Sequence, residues 1–288
     1  DPLTPEDETL VDVDMLLIGG SNLSAFVGAG DVGLNLSGMG LGVALMTERV
    51  DAPAAGQPAV TPRSWTSAQA SIDSASFDGV EGLTIEVNTL ALQVNRQAAD
   101  GTVVDYGLTA DSADAADARN TELEILTGPE SSLVLEMDGA DGALTRLTGS
   151  LALDLFGFVS VEGDFGIESK QGEVVLAGVQ DDPQTTDVNE ATAPVAVDML
   201  LIGGSNLSAF VGAGDKGLNL SGIGLGLALI TEQVDATAPG ATPARSWTSA
   251  QASIESASFD GVENLTIEVN SLALEINREA ADGSVVDY

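Results

Sequence analysis

The chain contains neither cysteine nor histidine. Without cysteine there is no disulfide framework and no thiol chemistry. Without histidine the commonest general base and the usual transition-metal ligand are missing, so zinc sites, Ser-His-Asp triads and Cys-His dyads are excluded. Basic residues are nearly as scarce, with 9 Lys plus Arg against 45 Asp plus Glu and a formal charge of −36. A phosphate backbone needs clustered Lys and Arg, so neither nucleic acid nor an anionic membrane is an expected partner. Multivalent cations or a salty medium are the natural counterpart of such a charge. No apolar run approaches the roughly 18–20 uninterrupted residues of a membrane-spanning helix, so membrane insertion is not expected. Aromatic residues make up only 4% of the chain, against 44% hydrophobic residues in all and 33 glycines. A core built from Leu, Val, Ile and Ala with glycine punctuation suits thin, regular strands.

What is present is repetition. Asp14-Met-Leu-Leu-Ile-Gly-Gly-Ser-Asn-Leu-Ser-Ala-Phe-Val-Gly-Ala-Gly30 returns without a change at residues 198–214. Residues 33–42 pair with 217–226, and Arg63-Ser-Trp-Thr-Ser-Ala-Gln-Ala-Ser-Ile72 recurs at 245–254. Tyr288 falls opposite Tyr106. A long internal period overrides a domain count based on length. The reading is of an acidic linker over residues 1–10, a first long repeat over 11–180, a second linker over 181–194, and the first half of a second repeat over 195–288. An excerpt from a longer tandem array is the expectation. Within the first repeat a weaker repetition marks three sub-units, at about 11–50, 63–100 and 120–178.

The apolar period in these segments is two, the signature of strands. Leu83, Ile85 and Val87 share one face, and past Asn88-Thr89 the phase inverts so that Leu90, Leu92 and Val94 become the apolar set. A flat strand would then put half its apolar residues in water. A bend or bulge at Asn88-Thr89, and another around Gly38-Met39-Gly40, resolves the conflict by turning the chain into a new sheet. Short strands separated by corners, in tandem, predict an all-β, solenoid-like stack of short strands. The alternative is antiparallel β-sandwich domains in tandem, with residues 77–82 as a hairpin loop. Residues 110–120 are the one stretch with the makings of a short helix, and 50–61 has the composition of a variable loop.

Chemistry is sparse. Asp111, Asp114 and Asp117, with Asp105 nearby, bring several carboxylates within short reach, and Asp138 and Asp141 form a second group. Both are candidate calcium sites, since Ca²⁺ takes about six to eight oxygens with several from carboxylates. The plainer readings are a solvated acidic face and a turn made by the Asp-Gly pairs. No pair of carboxylates stands out for glycoside cleavage: Glu86 and Asp154 occupy equivalent positions on the polar face of a strand. Trp65 and Trp247 read as side chains packed under a loop at the entry to a strand more readily than as sugar platforms. Catalysis needs a unique, asymmetric constellation, whereas this chain copies its residues from unit to unit, so an enzyme is not expected.

The 14–30 motif, the strand pattern of residues 83–94 and the acidic linkers resemble the repeat regions of giant secreted surface proteins and adhesins of Gram-negative bacteria. The Gly-Gly-x-Gly-x-Asp calcium nonapeptide is absent, so no residue inherits a calcium-roll role. The resemblance implies an extracellular or cell-surface structural segment of a filament, stalk or fibre that associates with further repeats or copies. The alternatives are an adhesin module binding a carbohydrate or surface ligand through its loops and, remotely, a polysaccharide-active enzyme on a β-helix.

Overall fold

The computed structural model describes residues 11–51, 60–106, 123–177, 194–234, 243–262, 265 and 267–288. The described chain is all-β. Its strands are β1 (Val13–Ala29), β2 (Val32–Glu48), β3 (Ser64–Asp78), β4 (Leu83–Arg96), β5 (Leu123–Gly128), β6 (Ser131–Leu135), β7 (Leu144–Leu155), β8 (Val159–Ala177), β9 (Val195–Ala213), β10 (Lys216–Glu232), β11 (Ser246–Asp260), β12 (Ile267–Arg278) and β13 (Val285–Asp287). One large antiparallel sheet runs in the order β1-β2-β3-β4-β7-β8-β9-β10-β11-β12 and is not closed; β13 pairs with β8. From β1 to β12, chain neighbours are sheet neighbours except at β4–β7, where the chain first forms the separate hairpin β5–β6.

The strands run on through the places where the sequence changes phase, with a residue of positive φ at each. Thr89 in β4 has φ 53° and Gly38 in β2 has φ 62°, the positions where the apolar pattern inverts. Their counterparts in the second repeat behave alike, Ser271 with φ 67° and Gly222 with 60°, and the repeat-related pair Asn22 and Asn206 both have φ 53°. A bulge inserts one residue into one strand and so swaps the faces of everything beyond it. At Ser271, the counterpart of Thr89, β11 and β12 keep one register and no residue is inserted; β4 likewise runs on through Asn88-Thr89 as one strand. Around Asn206 the pairing of β8 with β9 shifts register between Glu162 and Asp164. Asp164 pins the bulge by accepting from Asn206 Nδ2 at 3.1 Å and from Ser150 Oγ at 2.7 Å. These two donors, the Ser150 hydroxyl foremost, hold the Asp164 carboxyl below the usual range.

The repeated stretch around residues 14–30 is half of a hairpin. Gly30 at φ 64° and Gly214 at φ 60° supply the left-handed residue of the tight turns β1–β2 and β9–β10. Residues 79–82 connect β3 to β4, so the segment 77–82 does act as a hairpin loop.

The chain divides into two compact units: one holds residues up to Ala25 with Leu36–Asp73 and Ala91–Arg146, the other Phe26–Asn35, Ser74–Leu90 and Leu147–Tyr288. In β1, β2 and β4 the boundaries fall within a few residues of the positive-φ residues Asn22, Gly38 and Thr89. The core of the first unit gathers Met46, Trp65, Tyr106, Ile125, Leu135 and Met137. That of the second gathers Leu176, Val197, Ile230, Trp247, Ala280 and Val286. Residues 50–61 are described only at Val50, Asp51, Val60 and Thr61, and the stretch 110–120 lies outside the described residues.

Candidate functional site

The most elaborate polar constellation occurs twice, at the entry to β3 and to β11. Arg63 donates to Glu48 through Nε at 2.9 Å and Nη2 at 3.0 Å, and to Asp100 through Nη1 at 3.2 Å. Its guanidinium lies 5.1 Å from the centroid of the Trp65 ring. Trp65 is buried and donates Nε1–H to the Thr102 carbonyl at 3.1 Å. Arg245 repeats every contact: Glu232 at 2.8 and 2.7 Å, Asp282 at 3.2 Å, and the Trp247 ring at 5.2 Å. Trp247 donates to the Ser284 carbonyl at 3.1 Å. Each Arg thus closes the base of a hairpin and covers the Trp face, combining bidentate carboxylate binding with a cation–π contact. The tryptophans are core residues, as their position at a strand entry implied.

Glu48 is held below the usual carboxylate range, chiefly by the Arg63 side chain and then by its backbone N–H. Asp100 is also lowered, first by the Thr102 hydroxyl and N–H and then by Arg63. Glu232 and Asp282 shift in the same direction for the same reasons. A carboxyl depressed on folding contributes stability that is present above its unfolded pKa of about 4 and is lost as pH falls through its lower folded value. Thermal melts from pH 6 to pH 2 are expected to fall steeply below about pH 4. In the double variant Arg63→Gln, Arg245→Gln that acid limb flattens; an unchanged limb would sink this account.

In the first unit one sheet face is capped. Tyr106 donates its N–H to the Met137 carbonyl at 2.9 Å, and Gly139 N–H reaches Asp105 Oδ1 at 2.8 Å. Burial pushes the Tyr106 hydroxyl up to about 12. The capping hairpin β5–β6 sits on glycines: a Cβ at Gly19 would lie 2.2 Å from the Leu126 carbonyl oxygen, and one at Gly42 would lie 2.9 Å from Leu133 Cδ2. Beneath it Ala44, Ser67 and Asn95 are buried. The polar pair is satisfied, with Ser67 donating to Asn95 Oδ1 at 3.0 Å and Asn95 Nδ2 to the Val104 carbonyl at 2.7 Å.

The acidic candidates are distributed otherwise. Asp138 caps a single 3-10 turn (Gly139–Asp141) that Asp141 ends; Asp138 accepts from Ala140 N–H at 2.8 Å and Asp141 pairs with Arg146 at 3.0 Å. Asp111, Asp114 and Asp117 lie outside the described residues. Among the described residues no group of three or more Asp or Glu is arranged to hold a metal ion. Asp154 accepts from Gly157 N–H at 2.8 Å and shapes the β7–β8 turn.

The Arg–Glu–Asp clasp and the glycine seat were missed by sequence reasoning, although a signal existed. Arg63 recurs with Trp65 as Arg245 with Trp247, and their partners Glu48 and Asp100 recur as Glu232 and Asp282. Among the described residues no helix is long and apolar enough to cross a membrane. No family model, no curated protein and no solved structure matches this chain.

Proposed function

We propose that this chain is a structural repeat segment of an extracellular or cell-surface filament, stalk or fibre, extended through its strand edges. The observation that supports this best is the junction of the two repeats. β8, the last strand of the first repeat, pairs with β9, the first of the second, from Val159↔Val211 to Val174↔Val195. β1 shares β9's sequence over residues 14–30, so its outer edge carries the same backbone donors and acceptors that receive β8. A sheet that joins repeats by strand pairing lengthens by the same step each time, and its stability grows additively. Unpaired edges template that step. The same junction favours a continuous, solenoid-like accretion of strands over sandwich domains tethered only by linkers. The acidic coat keeps neighbouring fibres apart, and divalent cations, calcium among them, bridge them.

Leu272 and Leu274 on the edge strand β12 are 56% and 55% exposed, so lysines there leave the chain's own packing intact while blocking an incoming strand. Light scattering and electron microscopy are expected to show end-to-end assembly of the unmodified chain as its concentration rises, with strand spacing of about 4.8 Å along the axis. The variant Leu272→Lys, Leu274→Lys stays monomeric. A chain that is monomeric at every concentration, or a variant that assembles equally well, overturns the reading. Fibre spacing indifferent to calcium and to chelator removes the cation bridge.

A further inference from the structure

Cross-strand register sorts the apolar residues of β8–β12, all within the second unit, onto one face of the sheet. One row runs through Ile167, Ile202, Leu227, Ala250 and Ile276. The row toward the β9–β10 turn holds Phe165, Leu225 and Leu274, and the row on the opposite side holds Leu200, Leu229 and Arg278. These rows contain no Asp or Glu in a chain that has 45. Ile167, Leu200, Leu225, Leu229, Leu274 and Ile276 are between 36% and 55% exposed. The first repeat has the same open face, on the side away from its cap. There Gly42 and Ala44, buried beneath the hairpin β5–β6, alternate along β2 with Leu45, and alternation sends the leucine to the other side. Leu16, Ile18 and Leu45, the counterparts of Leu200, Ile202 and Leu229, are exposed with that hairpin in place.

We propose that the aliphatic face of β8–β12 packs against the same face of a second copy of this chain, two sheets stacked about a two-fold axis. Area and charge both specify the occupant. The three rows present on the order of 700 Å² of apolar surface, more than a monomer ordinarily leaves open and close to the roughly 800 Å² each partner brings to a stable interface. A face free of carboxylates is where two copies of so acidic a chain repel each other least. Its rim carries one charge of each sign. Arg278 ends the Leu200–Leu229 row on β12, is exposed, and has no ion pair among the described residues. Asp198 sits one row further on, on β9, also exposed. A two-fold axis along the strands between β10 and β11 exchanges β9 with β12, so each Arg278 comes over the Asp198 end of the other copy's β9. The contact is a sheet face and not a strand edge, so it does not rest on the edge-to-edge assembly proposed above.

The test uses the full chain and varies leucines at the centre of the face. Leu272 and Leu274 stay as they are, because lysines on β12 act on face and edge together. Leu225→Thr with Leu229→Thr removes apolar bulk from exposed positions and keeps a β-branched residue suited to a strand, so the melting temperature is unchanged. Sedimentation velocity is expected to show a dimer of the unmodified chain, and the threonine variant's dimer is weaker by about tenfold or more. Arg278→Asp weakens it by about threefold or more. Adding Asp198→Arg restores it, since the pair then meets with its charges exchanged. A spin label on Thr231→Cys, unique in a cysteine-free chain, reads the contact in dimers and longer assemblies alike. Labels related by the two-fold lie within about 25 Å, the roughly 10 Å between stacked sheets plus two label arms, and that distance is lost in the threonine variant. Absence of both dimer and short distance, a dimer the threonines leave unchanged, or an Arg278→Asp loss that Asp198→Arg deepens each overturns the face pair. End-to-end growth continues in the threonine variant, so either proposal can fail without the other.

Discussion

Trp247→Ala is expected to destabilise the second unit by about 3–5 kcal/mol, the range for truncating a large buried aromatic. Trp247 is 2% exposed and packs with Val197, Ile230, Ala280 and Val286. With aromatics at 4% of the chain, no other ring in that cluster shares its volume. The loss also removes the indole N–H from the Ser284 carbonyl, leaving it the Ala280 N–H alone, and uncovers the Arg245 guanidinium. Trp247→Phe keeps a ring beneath Arg245 but drops the hydrogen bond, so it retains more stability than Ala. Trp65→Ala acts alike on the first unit, where Trp65 donates to Thr102. Calorimetric or denaturant unfolding measures both. A loss below about 1 kcal/mol, typical of surface positions, would show that neither ring carries its core.

Gly19→Val and Gly203→Val make the same substitution at positions related by the repeat, and their expected outcomes diverge. At Gly19 the new Cβ meets the Leu126 carbonyl oxygen, a backbone atom that cannot rotate away. Overpacking of this kind costs about 1–3 kcal/mol or more. Here it unseats the hairpin, exposing Ile125 and Leu135, which are 1% and 0% exposed. At Gly203 the side chain enters open space, so the change stays within about 0.5 kcal/mol. Hydrogen exchange on β5–β6 reads the first variant, with faster exchange expected at Ile125 and Leu135. Equal effects at the two glycines would refute the asymmetry between the repeats.

The strands were legible because period-two alternation is local, and so, in β2 and β4, was the place where the strand is disturbed. The phase change at Asn88-Thr89 marks the residue that takes φ 53°, and Gly38 marks another at 62°. What form the disturbance takes was not legible. A bend without an inserted residue and a bulge both restore the apolar phase, and the neighbouring strand makes the choice: β11 and β12 keep one register past Ser271, whereas β8 and β9 shift theirs opposite Asn206. The covered face was misleading for a related reason. Alternation favours burying the larger aliphatic side chains, yet Leu16, Ile18 and Leu45 are 56%, 48% and 39% exposed, while Ala44, Ser67 and Asn95 on the other face are buried. Small and hydrogen-bonded residues are what a closely approaching hairpin needs beneath it.

Nor did the sequence place the carboxylates. The acid run at 111–117 and the pair Asp138 and Asp141 stood out by spacing, whereas Glu48 and Asp100 lie far apart in the chain and meet through Arg63. The sequence by itself determined the repeat, the all-β class, the charge and the absence of thiol and imidazole chemistry, since each follows from composition or from a period no longer than a strand. The tertiary structure alone decided which strands share an edge and which face of the first repeat is covered, because these depend on residues far apart in the chain. Identical residues 14–30 and 198–214 thus end in different surroundings.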